Sequence, residues 1–293
     1  MHFTGRTWRP PYEANSYIIQ LTSGCTYNKC SFCNLYHDEP FCLSPLSEFE
    51  EDLGEIKKYQ PNARRIFFTG ANPFALSYEK IKPYVLTVRD YLIKCQTIAM
   101  FSSIRDIKNK EVWQLRKLRA MGVNGLSIGV ESGDDETLLL ANKGYTSQDI
   151  LEQCQKLDEA GIEYYFVYMT GLAGKGNGYR NAINSAKLFS KLNPYFIHVD
   201  SLTLFRDTKL YQMAQKGEFI EAGEQERVKE MQHFIENLQI RTHLFANTVS
   251  NFYPVSAYLP KERAKVLDEL EQVINTFTEE EMRTYRKGLK SLG

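Results

Sequence analysis

The chain has 293 residues, of which 43% are hydrophobic and 25% are charged. This composition is typical of a globular protein and argues against a disordered, collagen-like or membrane-spanning chain. The 36 basic and 36 acidic side chains cancel, so no overall charge attracts the protein to nucleic acid or to an anionic membrane. The N-terminus shows no signal-peptide pattern, and no apolar run is long enough to cross a bilayer, so we expect a cytoplasmic protein.

From residue 17 onward, short β-branched or aromatic runs alternate with longer segments of helical period. This alternation predicts βα units around a parallel sheet. The predicted strands are Tyr17–Thr22, Arg65–Thr69, Thr97–Phe101, Leu126–Val130, Tyr164–Met169 and Phe196–Leu202. The predicted helices between them are Leu46–Tyr59, Tyr78–Lys94, Lys110–Met121 and Ser147–Ala160. In the last of these helices, Cys154 lies in the apolar stripe and is predicted to be part of the core.

After residue 205 the pattern changes to charged, amphipathic helices, which we expect at 225–241 and 261–289. The aromatic segment 245–259 predicts a loop or a short strand. We therefore predict an α/β core at 1–215 and a mostly helical C-terminal extension at 216–293.

Three of the six cysteines lie within nine residues, directly after the first predicted strand: Cys25, Cys30 and Cys33. Thiols on one short loop can converge on a metal centre, and thiolates select zinc, Cu(I) or an iron–sulfur cluster. Three ligands would leave one iron of a cubane free to bind a substrate or cofactor. A structural zinc site needs a fourth ligand, which His37 or Cys42 can supply, so zinc remains an alternative.

This loop resembles the cluster motif of the radical S-adenosylmethionine (SAM) superfamily. Phe32 stands before the last cysteine and two residues separate Cys30 from Cys33, although four residues rather than the usual three follow Cys25. The resemblance implies that the three cysteines ligate a 4Fe–4S cluster whose fourth iron binds SAM. One-electron reduction, from a donor such as flavodoxin or ferredoxin, then gives methionine and a 5′-deoxyadenosyl radical that abstracts hydrogen from a substrate.

The resemblance extends over residues 15 to about 215 and is closest to the branch that contains oxygen-independent coproporphyrinogen dehydrogenase. It implies a partial (β/α)6 TIM-like barrel with its ligands at the carboxyl ends of the strands. The positions that it assigns to the cofactor are Phe32, Gly70, Ala71, Asn72, Ser102, Glu131, Lys143 and Gly171.

Specific roles follow from the same resemblance. Residues 70–72 stand where the family commonly has Gly-Gly-Glu and holds the amino group of methionine. Glu131 matches the residue that contacts the ribose, and Lys143 replaces an arginine that pairs with the carboxylate. Gly171 opens a glycine-rich loop that can approach the adenine closely. Plainer explanations remain for three of these residues: an Asn72-Pro73 turn, a helix cap at Ser102 and a surface lysine at 143.

The substrate is not identified by these motifs. Porphyrin-acting relatives often carry an acid just before the glycine loop, and residues 167–170 offer none. We expect a small organic substrate rather than a nucleic acid or a membrane, although Arg116, Lys117 and Arg119 form a local basic patch. The alternatives are an RNA-modifying radical SAM enzyme and a non-enzymatic barrel stabilised by zinc or a cluster. The roles of Cys42, His198 and His243 stay open.

Overall fold

A computed structural model describes residues 1–288 of the chain. These residues form two compact units, one comprising 1–28, 35–128 and 152–164, and the other 29–34, 129–151 and 165 onward. The domain boundary after residue 215 stays a prediction.

The elements follow one another as strands and helices in near-regular alternation. The first half contains β1 (Tyr17–Gln20), β2 (Thr22–Ser23), β3 (Cys42–Leu43), α1 (Leu46–Tyr59), β4 (Arg65–Thr69), α2 (Tyr78–Tyr91), β5 (Thr97–Ser102), α3 (Ile104–Lys108), α4 (Val112–Ala120), β6 (Val123–Glu131), α5 (Asp135–Leu140) and α6 (Ser147–Ala160). The second half contains β7 (Tyr164–Thr170), α7 (Gly178–Phe189), β8 (Phe196–Ser201), α8 (Lys209–Gln215), α9 (Glu224–Asn237), β9 (Thr242–Ala246), β10 (Val255–Leu259), α10 (Arg263–Thr276) and α11 (Glu279–Lys287).

In the first unit, β1, β4, β5 and β6 pair in parallel in that order. The strands are apolar on both faces; Ile66, Phe67 and Phe68 of β4, for example, are fully buried. Such continuous apolar runs are expected where helices cover a parallel sheet. Parallel pairing also brings the carboxyl ends of these strands to one edge. The short strands β2 and β3 pair antiparallel, and the three clustered cysteines lie between them in the sequence.

In the second unit, β7 and β8 pair in parallel, β8 pairs in parallel with β9, and β10 adds antiparallel to β9. The carboxyl end of β8 therefore lies beside the carboxyl end of β7 and near the segment that follows β9. Helix α9 packs against α7 and α10. Its apolar residues Met231, Phe234 and Ile235 are buried in the core of this unit.

The six strands and four helices predicted before residue 205 are all confirmed, with ends that shift by up to three residues. Cys154 is completely buried, as its position in the stripe predicted. The predicted helix 261–289 is wrong as one element, because Thr278 and Glu281 form a capping box that begins a separate helix, α11. Its last residue lies outside the described part of the chain. The segment 245–259, predicted as a loop or a short strand, contains the end of β9, a loop at 247–254 and the short strand β10.

Candidate functional site

The three clustered cysteines form no disulfide and are of intermediate exposure, whereas Cys42 is exposed and Cys95 and Cys154 are buried. The loop that carries them has a left-handed residue at Asn28, with φ of 48°. The Asn28 side chain donates to Tyr36 O at 2.8 Å, and its backbone N–H donates to Cys25 Sγ at 3.4 Å. The Asn28 side chain and backbone thus hold the turn that follows the first cysteine.

Among the residues that the structure describes, no three His, Cys, Asp or Glu side chains are grouped closely enough to hold one metal ion. The ligands of a four-iron cubane bind different irons and stand farther apart than the ligands of a single ion. Cys42, which the sequence offered as a fourth ligand, lies in β3 opposite Ser23.

The residue after the first cysteine is tied to the end of β4. The Thr26 N–H donates to Asn72 Oδ1 at 3.2 Å, and Asn72 Nδ2 donates to Thr26 Oγ1 at 2.6 Å. Asn72 Nδ2 also lies 3.1 and 3.2 Å from the two carboxylate oxygens of Asp106 in α3. The carboxamide of Asn72 therefore already has partners on both its oxygen and its nitrogen, within the first unit.

Asp106 is a functional candidate that the sequence analysis missed. It is 3% exposed, and burial raises its pKa despite hydrogen bonds from the Ser103 backbone and from Asn72. Lys110, one turn later, is equally buried, donates to Phe74 O at 2.5 Å, and has its pKa lowered by burial to about 8. Asp106 lies four residues after the end of β5. This position near the carboxyl end of a strand is the feature by which the sequence could have identified it as a candidate.

The other first-unit positions assigned by resemblance also lie at strand ends. Gly70 follows β4 with φ of 127°, and a Cβ there would stand 2.3 Å from Thr22 O, so only glycine fits. Ser102 is buried at the end of β5, and its hydroxyl donates to Ser103 O at 3.2 Å. The Arg105 guanidinium stacks 3.4 Å from the centre of the Tyr27 ring, which places a cation on the cysteine loop.

In the second unit, Glu131 and Lys143 form a buried pair. Lys143 Nζ lies 3.3 Å from Glu131 Oε1 and donates to Gly129 O at 2.8 Å. It also lies 5.7 Å from the centre of the Phe32 ring. Burial alone would lower the pKa of Lys143, but Tyr145, Glu131 and Cys30 outweigh burial and raise the pKa. Lys143 is thus a buried cation, so the surface-lysine explanation is wrong.

Glu131 has two unusual features at the carboxyl end of β6. Its backbone is left-handed, with φ of 64°, a conformation that is rare for a residue other than glycine and concentrates at functional sites. Its Oε2 atom is buried and accepts no hydrogen bond from any described residue. Burial raises its pKa, and the Lys143 ammonium opposes this shift. An unsatisfied buried acceptor costs free energy unless a ligand supplies the donor.

The glycine loop after β7 is held by a buried acid from α9. The Gly171 N–H donates to Glu230 Oε2 at 2.7 Å, while Tyr168 OH and Asn181 Nδ2 donate to Glu230 Oε1 at 2.9 and 2.6 Å. Burial raises the pKa of Glu230 to about 7. Arg227, on the preceding turn of α9, packs against Gly171: a Cβ atom at position 171 would lie only 3.1 Å from the Arg227 guanidinium. The sequence analysis missed Glu230 and Arg227, because charged residues of an amphipathic helix give no sign of burial.

The two histidines left open are placed in the second unit. His198 is buried in β8, with Nε2 3.3 Å from Asp200 Oδ1. His243 in β9 stacks on Tyr258 with ring centres 3.9 Å apart.

No helix among residues 1–288 is both long and apolar enough to cross a membrane.

Comparisons with known proteins agree with this arrangement. The pattern of the Radical SAM superfamily matches residues 19–187, which is more than half of the chain. The heme chaperone HemW of Bacillus subtilis is 25% identical over 232 residues, which are 76% of this chain and 60% of HemW. A tRNA uridine(34) acetyltransferase of Methanocaldococcus infernus is 27% identical over 126 residues, 41% of this chain and 22% of that protein. The chain thus spans less than two thirds of both curated relatives.

Among solved structures, coproporphyrinogen III oxidase (HemN) from Escherichia coli superposes with a TM-score of 0.56 at 17% identity, over 75% of this chain and 51% of that one. This likeness confirms the fold class, an α/β partial barrel with a helical C-terminal portion. HemW and HemN also agree with the branch that the motifs indicated. Membership of this superfamily supports a 4Fe–4S cluster and SAM as the cofactors and sets aside the structural-zinc alternative. The chain belongs to the radical SAM superfamily.

Proposed function

We propose that the protein cleaves SAM reductively and uses the resulting 5′-deoxyadenosyl radical to abstract hydrogen from a small organic substrate. The observation that carries this proposal is Glu131, a buried strand-end carboxylate with one oxygen beside Lys143 and the other without a partner. Two sugar hydroxyls supply the donors that such an oxygen lacks. An electron donor such as flavodoxin or ferredoxin fits the need for one-electron reduction.

The residues of the chain fit the cofactors by their chemistry. Cys25, Cys30 and Cys33 are partly accessible thiols on one loop that form no disulfide, which suits thiolate ligation of a 4Fe–4S cluster. When bound, the cluster supplies the electron and SAM supplies the carbon radical. The protein's own task is to hold these groups, to exclude water and to orient the substrate.

Each remaining site residue has a proposed contact with SAM. Lys143 pairs with the methionine carboxylate, since it is a buried cation within reach of Phe32 and Cys30. The backbone of residues 70–72 holds the methionine amino group through its carbonyl oxygens. Ser102 faces the cofactor from β5, Phe32 covers it from the loop, and Gly171 lets the backbone approach the adenine.

Asn72 is expected to anchor the cysteine loop rather than to bind methionine, because its carboxamide is used by Thr26 and Asp106. Asn72→Ala removes these bonds beside the first cluster ligand. We expect iron release to a chelator to become roughly tenfold faster, the size typical of residues that orient metal ligands. SAM affinity of the cluster-bearing protein should stay the same. Iron release is followed optically and SAM binding by equilibrium dialysis.

The matched control is Asn109→Ala, an exposed asparagine at the end of α3. It should release iron at the wild-type rate. If Asn72→Ala instead weakens SAM binding and leaves iron release unchanged, then Asn72 is a methionine contact.

A small substrate is favoured over RNA because the cations of the basic patch on α4, Arg116, Lys117 and Arg119, interact with other residues of the chain. Arg116 pairs with Glu159 at 2.9 Å, and Arg119 donates to Gly161 O at 2.7 Å. Lys117 lies over the Trp113 ring at 4.9 Å. All three cations have partners within the chain. The similarity to a tRNA-modifying protein makes RNA the second candidate, and the cytoplasmic location stays a prediction.

The function is tested with reconstituted, reduced protein, deuterated SAM and fractions of a cell extract. We expect 5′-deoxyadenosine that carries substrate-derived hydrogen, stimulated by the small-molecule fraction. Stimulation confined to the RNA or protein fraction would reject a small substrate. Methylthioadenosine in place of 5′-deoxyadenosine would show that a different bond of SAM is cleaved.

A further inference from the structure

One face of the second-unit sheet is covered by helices, whereas the other is covered only in part: His198 on that face is buried, and Asp200 on the same strand is 28% exposed. On the covered face, Phe166 packs on Phe189 of α7 and Tyr168 stacks on Phe234 of α9, with ring centres 4.8 and 4.2 Å apart. The opposite face contains side chains of intermediate exposure from β7, β8 and β9, namely Val167, Met169, Asp200, His243 and Phe245. Tyr258 of β10 is 60% exposed on the same face. This incompletely covered face is called the open face below.

Asp200 is the one acidic side chain that β7 to β10 place on the open face. Its Oδ1 atom lies 3.3 Å from His198 Nε2 and accepts hydrogen bonds from Thr248 Oγ1 at 2.6 Å and Ser250 Oγ at 3.2 Å. Burial alone would raise the pKa of Asp200, but His198, Thr248 and Ser250 outweigh it and lower the pKa. The carboxylate is therefore held in its charged form.

The second oxygen, Oδ2, accepts no hydrogen bond from any residue in the range 1–288, and the side chain is 28% exposed. Beyond these polar partners, the rest of the open face is mainly apolar and aromatic. Met169 lies beside Asp200 in the pairing of β7 with β8, and Phe245 lies beside His198 in the pairing of β8 with β9. His243 continues the row and stacks on Tyr258. A fixed negative charge on a sheet face that also carries aromatic rings favours a cation with N–H donors.

We infer that the open face binds the substrate through Asp200 and that this substrate has a protonated amine or amidinium on an apolar or aromatic body. The inference rests on the proposed function, because it names the substrate of the same site. Asp200 and His198 lie close enough to Glu131 for their charges to act on it. Asp200 and Glu131 both lie at the carboxyl ends of their strands, β8 and β6, so a substrate held by Asp200 is on the side of the sheet where hydrogen abstraction requires it.

The test uses benzamidine as the cationic probe and benzamide as its neutral analogue of nearly equal shape. Binding to the reconstituted protein with SAM and no reductant is measured by saturation-transfer NMR titration. We expect benzamidine to bind roughly tenfold more tightly than benzamide, since one charge-assisted hydrogen bond gives a preference of that order. Asp200→Asn should abolish the preference. Thr248→Val removes one hydrogen-bond donor to Asp200 Oδ1 and should reduce the preference for benzamidine. This second variant provides the test if Asp200→Asn folds poorly.

The matched control is Asp268→Asn, an exposed aspartate on α10, which should keep the wild-type preference. Equal binding of the two probes, binding of neither, or a preference that persists in Asp200→Asn would overturn the inference. The inference would also be overturned if Asp200→Asn bound SAM more weakly but kept the probe preference, because Asp200 would then contact the cofactor rather than the substrate. Formation of 5′-deoxyadenosine by the wild-type protein with the small-molecule fraction of a cell extract separates the two proposals: its absence refutes the proposed function, whereas its presence without probe preference refutes only this inference.

Discussion

Alanine at Cys25, Cys30 or Cys33 is expected to abolish the 4Fe–4S cluster and, with it, all detectable cleavage of SAM. Each substitution removes one of the three proposed protein ligands, and no other cysteine lies between Cys25 and Cys33 to replace it. Anaerobic reconstitution of the wild-type protein should give a brown protein with about four irons per chain, the content of one cubane. Iron analysis, the visible spectrum and 5′-deoxyadenosine formation measure the effect.

Three further cysteines provide the controls. Cys42 is exposed in β3, and Cys95 and Cys154 are buried in the core. Alanine at any of these should leave iron content and SAM cleavage at the wild-type level, with a small loss of stability at the two buried positions. Loss of the cluster in Cys42→Ala alone would show that the cluster has four protein ligands.

Glu131→Ala is expected to weaken SAM binding by roughly ten- to a hundredfold while the cluster still assembles. Hydrogen bonds to a charged group contribute about 1.5–3 kcal/mol, and the variant deletes the proposed ribose acceptor without touching an iron ligand. It also leaves Lys143 buried without its carboxylate partner. Glu131→Gln, which keeps an acceptor oxygen and the shape of the side chain, should show a smaller loss. Equilibrium binding of SAM and iron content are measured on the same samples.

Glu136→Ala is the matched control, because Glu136 is an exposed acid of α5 that pairs with Arg180. It should bind SAM as the wild-type protein does. Wild-type affinity in Glu131→Ala would contradict the proposed ribose contact, and loss of iron in that variant would mean that Glu131 supports the cluster loop instead.

Local patterns were enough for much of the fold. The strand β4 and the helix α6 appear within the predicted bounds, because their apolar periodicity is a property of consecutive residues. The break between α10 and α11 was missed although its cap is local, since the apolar stripe continues through Phe277 and hides the new start at Thr278. The strand β10 lies in the segment for which a loop or a short strand was predicted. Its five residues alternate between buried and exposed, yet their pairing depends on β9.

By itself, the sequence determined the spacing of the three cysteines, the βα order and the strand-end position of Glu131, because each of these is a matter of neighbouring residues. Only the tertiary structure decided which polar groups meet. Asn72 contacts Thr26 across 46 positions, and Glu230 accepts from Gly171 across 59. The tertiary structure also decided that Lys143 is buried and that Asp200 keeps one oxygen accessible on an open sheet face. Contacts over such distances arise from how strands and helices pack, and no local periodicity encodes them.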